Sequence, residues 1–306
     1  MKKHIIFILF FMMDISFSQN IINEVKHHYA NNDGVKIHYV TLGEGSLIVM
    51  MHGFPDYWYT WRNQMTELSR QYKVAAVDLR GYNKSDKPKG VENYTMSHLI
   101  GDVVSVIKDA GYSKAIIIGH DWGGAIAWQV AMNVPQVVEK LIVLSTPHPR
   151  GLFREISNNK QQQENSKYAK DYQEEESHTE LTPEALMKWV KDESAKPYYL
   201  EAFKNSDIEA MMNYYKASFP KQPKTKTDET EKTVTQNKNQ IKMVECPTLA
   251  IFGKNDQALL PAGWNGTWDW IDNSITIVSV PDAGHFVQQD ASDFVTKVIT
   301  SWLKIK

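Results

Sequence analysis

Continuous apolar runs alternate with amphipathic ones along most of the chain. The segments 35–41, 46–51, 73–78, 115–119, 140–146, 248–253 and 275–280 are short, rich in Val, Ile, Leu and Ala, and bounded by Gly, Pro or Asp. Runs of this kind predict strands buried on both faces of a parallel sheet. The segments 61–70, 97–110, 123–133 and 291–305 carry apolar residues at helical spacing. They predict helices that cover the sheet, and the whole pattern predicts an α/β fold.

The rhythm fails between 147 and 244. Strand-like runs vanish there, and helical stretches at 183–191 and 208–217 precede the polar segment KQPKTKTDETEKTVTQNKNQ, residues 221–240. An inserted helical lid, 147–244, dividing a core into 19–146 and 245–306, accounts for the interruption. The polar segment is then a charged return, although its composition equally suits a disordered tract. The chain start departs differently: Lys2 and Lys3 lead into an apolar run ending at Met13, followed by Ser16-Phe17-Ser18. This layout predicts a signal peptide over 1–18 and an exported mature chain, periplasmic or secreted. Such a run is too short to span a bilayer comfortably, so no stable membrane insertion is expected after its removal. An uncleaved anchor is the alternative reading, with Asp14 as an irregularity in either case.

Composition limits the partners. A net charge of −2 over 306 residues, 42% of them hydrophobic, allows a large core and leaves no basic footprint for nucleic acid. The single cysteine, Cys246, excludes an intramolecular disulfide. Nine Trp and fourteen Tyr supply rings enough for an apolar pocket as well as a core. No His/Cys/Asp cluster has metal-ligand spacing and no Gly-rich phosphate loop occurs, so neither a metal nor an organic cofactor is expected. Oligomeric state is left open, a homodimer included.

The chemistry concentrates at strand ends. AIIIGHDWGG, ending at Gly124, reads as a strand, a sharp turn and the start of a helix, the geometry of a nucleophile elbow with Asp121 at its tip. Gly119 and Gly123 supply the small residues such a turn needs. Capping the helix is the other role open to Asp121. His285 in DAGHF follows the last predicted strand, and Asp256 in FGKND follows the one before it. This is the chain order of nucleophile, acid and base, at the sheet edge where open α/β folds bind ligands. MHGFP adds a loop in which the N–H of Phe54, with that of Trp122, would form an oxyanion hole; Pro55 has no N–H to give. His52 reads as a brace for that loop.

HGFPDYWYTWR, DLRGYNKSDKP, GHDWGG, KDYQ, NYYK, FGKND and DAGHF together resemble soluble epoxide hydrolases of the α/β-hydrolase fold, over nearly all the chain after residue 24. The resemblance implies that Asp121 is the nucleophile, His285 the base and Asp256 its acid, with Phe54 and Trp122 forming the oxyanion hole. It implies also that two lid tyrosines bind the epoxide oxygen, matching Tyr172 and Tyr215; Tyr168 and Tyr214 lie beside them as alternatives. The implied substrates are a small apolar epoxide and water. Asn83 departs from the family, which usually has Gly there, and Asn tolerates the left-handed backbone better than other residues with a Cβ. Two rivals share the aspartate. Haloalkane dehalogenases need halide-binding donors and often carry Asn in place of Phe54, and fluoroacetate dehalogenases want Arg where Trp122 stands. A catalytically idle binding protein of the same fold is a third reading.

Overall fold

The computed structural model describes residues 21–219 and 242–305. The leader over 1–18 and the whole polar return over 221–240 lie outside them. Eight strands form one sheet in the order β1-β2-β4-β3-β5-β6-β7-β8. They are β1 (Lys26–Asn32), β2 (Val35–Leu42), β3 (Leu47–Met51), β4 (Lys73–Val77), β5 (Ala115–His120), β6 (Val138–Leu144), β7 (Thr248–Gly253) and β8 (Ile275–Val280). Pairing is antiparallel between β1 and β2 and between β2 and β4, and parallel from β4 to β8. All seven expected strands are present. β1 was not expected, because KHHYANN has one fully buried residue, Ala30, and reads as polar: it is an edge strand. β8 is the opposite edge and is partly exposed, which corrects the expectation of a strand buried on both faces.

β3 and β5 are buried throughout, as their unbroken apolar runs require. The chain leaves β3 for β4 on one side and reaches β5 on the other, so the order reverses between these two strands. Ligands bind open sheets at such a reversal. The HGFP loop follows β3 and the aspartate elbow follows β5. Helices Met96–Asp109 and Trp122–Asn133 pack together, as do Arg62–Leu68 and Ser292–Leu303, covering the sheet.

Between β6 and β7 the described chain is helical. Six α-helices lie there: Pro149–Asn158, Lys160–Asn165, Lys167–Asp171, Pro183–Leu186, Lys196–Lys204 and Ile208–Ser218. Local chemistry starts several of them. The side chains of Asn159, Thr182 and Asp207 accept from N–H groups of the following turn, and Pro opens two helices where no N–H is needed. The expected helix 183–191 stops at Leu186, and Trp189 lies in the turn that follows. This layer is fastened to the core at separate points: Tyr199 Oη donates to Asp56 (3.0 Å), Asn83 N to Ser206 Oγ (2.7 Å) and Gln162 Nε2 to the Ala258 carbonyl (2.7 Å). Among the described residues no helix is long and apolar enough to cross a membrane.

Asn83 does occupy a left-handed conformation, φ 39°. Its amide donates to Asp78 Oδ2 (2.8 Å), which His38 Nδ1 also contacts (2.6 Å); the other oxygen, Oδ1, accepts from Trp58 N (3.1 Å). His38 and Asp78 are fully buried. These bonds outweigh burial and hold the Asp78 carboxyl below its ordinary range.

Candidate active site

Asp121 has φ 52° and ψ −120°, between the end of β5 and the helix Trp122–Asn133. A non-glycine residue held there carries about 1–3 kcal/mol of strain that its surroundings must enforce. The enforcement is close packing. A Cβ on Gly119 would lie 2.1 Å from the Gly123 carbonyl oxygen, one on Gly123 2.3 Å from that of Met51, and one on Gly53 2.2 Å from Asp121 Cβ. Gly123→Ala is therefore expected to destabilise the fold by roughly 3 kcal/mol, because the opposing atoms are backbone and cannot move aside. Urea denaturation would show it; an unchanged midpoint would contradict the packing argument.

The Asp121 main chain is tied to the core: its carbonyl accepts from Ala125 N (2.9 Å) and Thr146 Oγ1 (2.8 Å). Its side chain makes no capping bond to the helix, so the capping role falls away. Instead Oδ1 accepts from Phe54 N (2.7 Å), and Oδ2 lies 3.3 Å from His285 Nε2. Trp122 is the first residue of its helix, so its N–H has no carbonyl one turn back. Phe54 N–H thus reaches the Asp121 carboxylate, and the Trp122 N–H stands next to it in the chain without a helical partner.

His285 follows β8 and Asp256 follows β7, as expected. His285 Nδ1 is 2.8 Å from Asp256 Oδ2, while Asp256 Oδ1 accepts from Ala258 N (2.8 Å) and Leu259 N (3.0 Å). An acceptor at Nδ1 places that ring's proton there and turns Nε2 toward Asp121. Burial lowers the imidazole pKa, but Asp256 and Asp121 outweigh it and push His285 up to about 10. Burial raises Asp121, and its bonds to His285 and Phe54 more than reverse this, leaving it below the ordinary carboxylate range. Both directions favour a charged imidazole beside an ionised Asp121.

His52 is the brace it was expected to be: Nδ1 contacts the Gly53 carbonyl (2.7 Å) and Nε2 accepts from Leu79 N (3.1 Å). Burial lowers its pKa to about 4, so it is neutral. Sequence reasoning missed His120. Burial and the neighbouring His285 lower it to about 4, and its Nε2 lies 2.9 Å from the His285 carbonyl, which a neutral imidazole can reach as a donor. Its position in GHD, beside the nucleophile, was the available signal.

The lid tyrosines divide by which way their hydroxyls face. Tyr214 is fully buried and donates to the Arg80 carbonyl (2.8 Å), so its hydroxyl is engaged in structure. Tyr215 borders the cavities beside Asp121 and packs edge-on against Trp122 (5.1 Å). Burial, then the neighbouring Tyr168 and Asp121, push its pKa well above the ordinary value. Tyr168 lines the same two cavities. Burial, then the charges of Asp121 and Asp256, push its pKa well above the ordinary value. Tyr172 borders only one cavity, and the charge that opposes its ionisation is that of Asp171. Tyr215 and Tyr168 thus border both cavities at Asp121, and Tyr172, which the resemblance implied, borders one of them.

Both cavities include Asp121, Tyr168 and Tyr215. One is bounded by Phe54, Pro55, Trp189, His285 and Phe286, the other by Met96, Ala125, Leu152, Phe219 and Leu259. An apolar space with a nucleophile on one wall and phenols on another suits an uncharged electrophile.

Residues 46–292 match the family described as the alpha/beta hydrolase fold. Epoxide hydrolase 1 of Caenorhabditis elegans is 34% identical over 93% of this chain and 72% of its own length. Epoxide hydrolase 4 of Homo sapiens is 32% identical over 89% and 77% respectively. Among solved structures, a mutant epoxide hydrolase from Bacillus megaterium superposes with a TM-score of 0.80 at 32% identity, covering 90% of this chain and 99% of that one. With the aspartate elbow, its histidine and the phenols that face them, these likenesses place the chain in the epoxide hydrolase family of the α/β-hydrolase fold.

Proposed function

We propose that this protein converts an epoxide and water to a vicinal diol through a covalent ester on Asp121. One observation carries the reading: a carboxylate, pinned by Phe54 N–H and His285, shares an apolar cavity with three phenols, of which Tyr168 and Tyr215 border the second cavity as well. A carboxylate attacks an sp³ carbon without prior deprotonation, which a serine hydroxyl at the same elbow could not do. The ring C–O bond breaks as the Asp121 C–O bond forms, and the departing oxygen takes a proton from Tyr215 or Tyr168. Both phenols are pushed upward in pKa, so each arrives protonated.

Esterification removes the Asp121 charge, one of the two that held the His285 proton. The imidazolium then releases its proton, which restores the phenol, and neutral His285 becomes the base of the second step. It takes a proton from water as the oxygen attacks the Asp121 carbonyl carbon. The N–H groups of Phe54 and Trp122 receive the oxyanion. Collapse expels the diol oxygen with the proton from His285, and the acid left on Asp121 passes its own proton to the imidazole, restoring carboxylate and imidazolium.

A dehalogenase would reach the same ester and release halide. Phe54 in the loop argues against it. Styrene oxide assayed for diol, beside a bromoalkane assayed for bromide, separates the two; bromide release without diol would overturn the proposal. Within it, Tyr168→Phe is expected to slow ring opening roughly 100-fold, whereas Tyr172→Phe changes it far less. The reverse order would return the role to Tyr172. Export by the segment 1–18 is proposed on its charge and hydropathy layout alone, and the N-terminal sequence of mature protein tests it.

A further inference from the structure

Trp189 touches both loops that the second step depends on. Its indole N–H donates to the Pro55 carbonyl (2.9 Å), one residue from the oxyanion donor Phe54. Its ring lies flat on Phe286, with centroids 3.6 Å apart and 5° between planes, one residue from the base His285. The lid segment that carries it is tied down on the same side. Asp192 pairs with Arg62 (3.0 Å), which also reaches Gln289 Oε1 (3.3 Å). Lys191 pairs with Asp290 Oδ1, whose other oxygen accepts from Gly284 N (2.9 Å), the residue before His285. The exposed lysine pair adds little by itself; the indole bond and the partly buried stack are the specific contacts.

We propose that Trp189 is a positioning residue that holds the oxyanion loop and the base loop in mutual register, so that the lid governs ester hydrolysis more than ring opening. This rests on the ester route proposed above. The asymmetry follows from what fixes each group. The Asp121 backbone is set by core contacts to Thr146 and Ala125 and by the close Gly119 and Gly123, none of which passes through Trp189; its carboxylate also accepts from Phe54 N and meets His285. Ring opening needs one carboxylate oxygen and the tyrosines in place. Hydrolysis needs Phe54 N–H and His285 aligned on the same carbonyl carbon at once, and the indole spans their two neighbours. Misplacement of about 1 Å at a reacting group costs on the order of 100-fold in rate.

The test uses two variants of the full chain. Trp189→Phe keeps an aromatic ring but loses the N–H; Trp189→Leu loses both contacts. Quenched-flow mass spectrometry of the intact protein gives the rates of ester formation and decay, with styrene oxide and propylene oxide as probes. Ester decay is expected to slow about tenfold in the Phe variant and on the order of 100-fold in the Leu variant. Ester formation should stay within roughly twofold, and the factors should agree for the two epoxides. Equal loss in both rates would make Trp189 a general structural residue, and factors that differ between epoxides would make it a pocket wall; either overturns the proposal. If Trp189→Leu does not fold, unchanged decay in Trp189→Phe overturns the indole contact as the coupling. Decay at the wild-type rate with the ester still detected refutes the clasp but leaves the ester route standing. Failure to find any ester in His285→Gln refutes both.

Discussion

Asp121→Ser is expected to lose diol formation by about ten-thousand-fold or more, the scale seen when a nucleophile is removed from a catalytic unit. The loss has two origins. A serine hydroxyl is neutral and must be deprotonated before it can attack, and it meets an sp³ carbon for which the elbow offers no further activation. The substitution also removes one of the two carboxylates that hold the His285 proton, so the balance of the resting site changes with it. Residual activity should not come with an adduct. A single turnover of the wild-type protein in heavy-oxygen water is the companion measurement. The ester route inserts an oxygen of Asp121 into the first diol, and solvent label appears only in later turnovers. Solvent label in the first diol would refute attack by Asp121.

His285→Gln separates the half-reactions. Glutamine has no basic nitrogen, so water is not activated, yet the side chain can still bond toward Asp121 and Asp256. Ring opening should continue while ester decay falls by roughly a thousandfold, leaving an adduct heavier than the free protein by the mass of the epoxide. Wild-type protein offers a pH version of the same test. His285 sits near 10 while Asp121 is ionised, with Asp256 and Asp121 acting against burial. In the ester Asp121 is neutral, so the base titrates at lower pH, and the rate of ester decay should rise with pH to a plateau reached well below 10. A decay rate that still climbs through pH 10 would show that Asp121 does not set the proton affinity of His285. Loss of activity without any adduct would assign His285 to ring opening instead.

How much of this could be read beforehand follows from where each residue sits. Asp121, His285 and Asp256 stand just past the carboxyl ends of strands whose apolar runs are unmistakable, with glycine beside two of them. Their order along the chain is enough to assemble them. The phenols are harder. Tyr168 and Tyr172 are four residues apart across one short helix, with Tyr172 N donating to the Tyr168 carbonyl (2.9 Å), so helical periodicity puts both on one face. Only the depth of each relative to Asp121 separates them. Tyr214 and Tyr215 differ by about 100° around their helix, but which direction is the cavity depends on the Arg80 carbonyl claiming Tyr214. β1 was unreadable for the opposite reason: an edge strand with polar side chains resembles a loop in pattern. The early end of the helix at Leu186 was equally hidden, since Trp189, in the turn beyond it, is bonded to a residue 134 positions away.

Asn83 bears on how the active-site loops come apart. A glycine there would sit in the left-handed turn without strain, but it could not reach Asp78. With asparagine, the turn 79–86 is linked through one buried carboxylate to the backbone of Trp58, while Leu79 N holds His52 at the base of the HGFP loop. A bond to a buried charge is worth about 1.5–3 kcal/mol. The two loops are accordingly expected to open as one unit, and hydrogen exchange should show their amide protons exchanging together as a block.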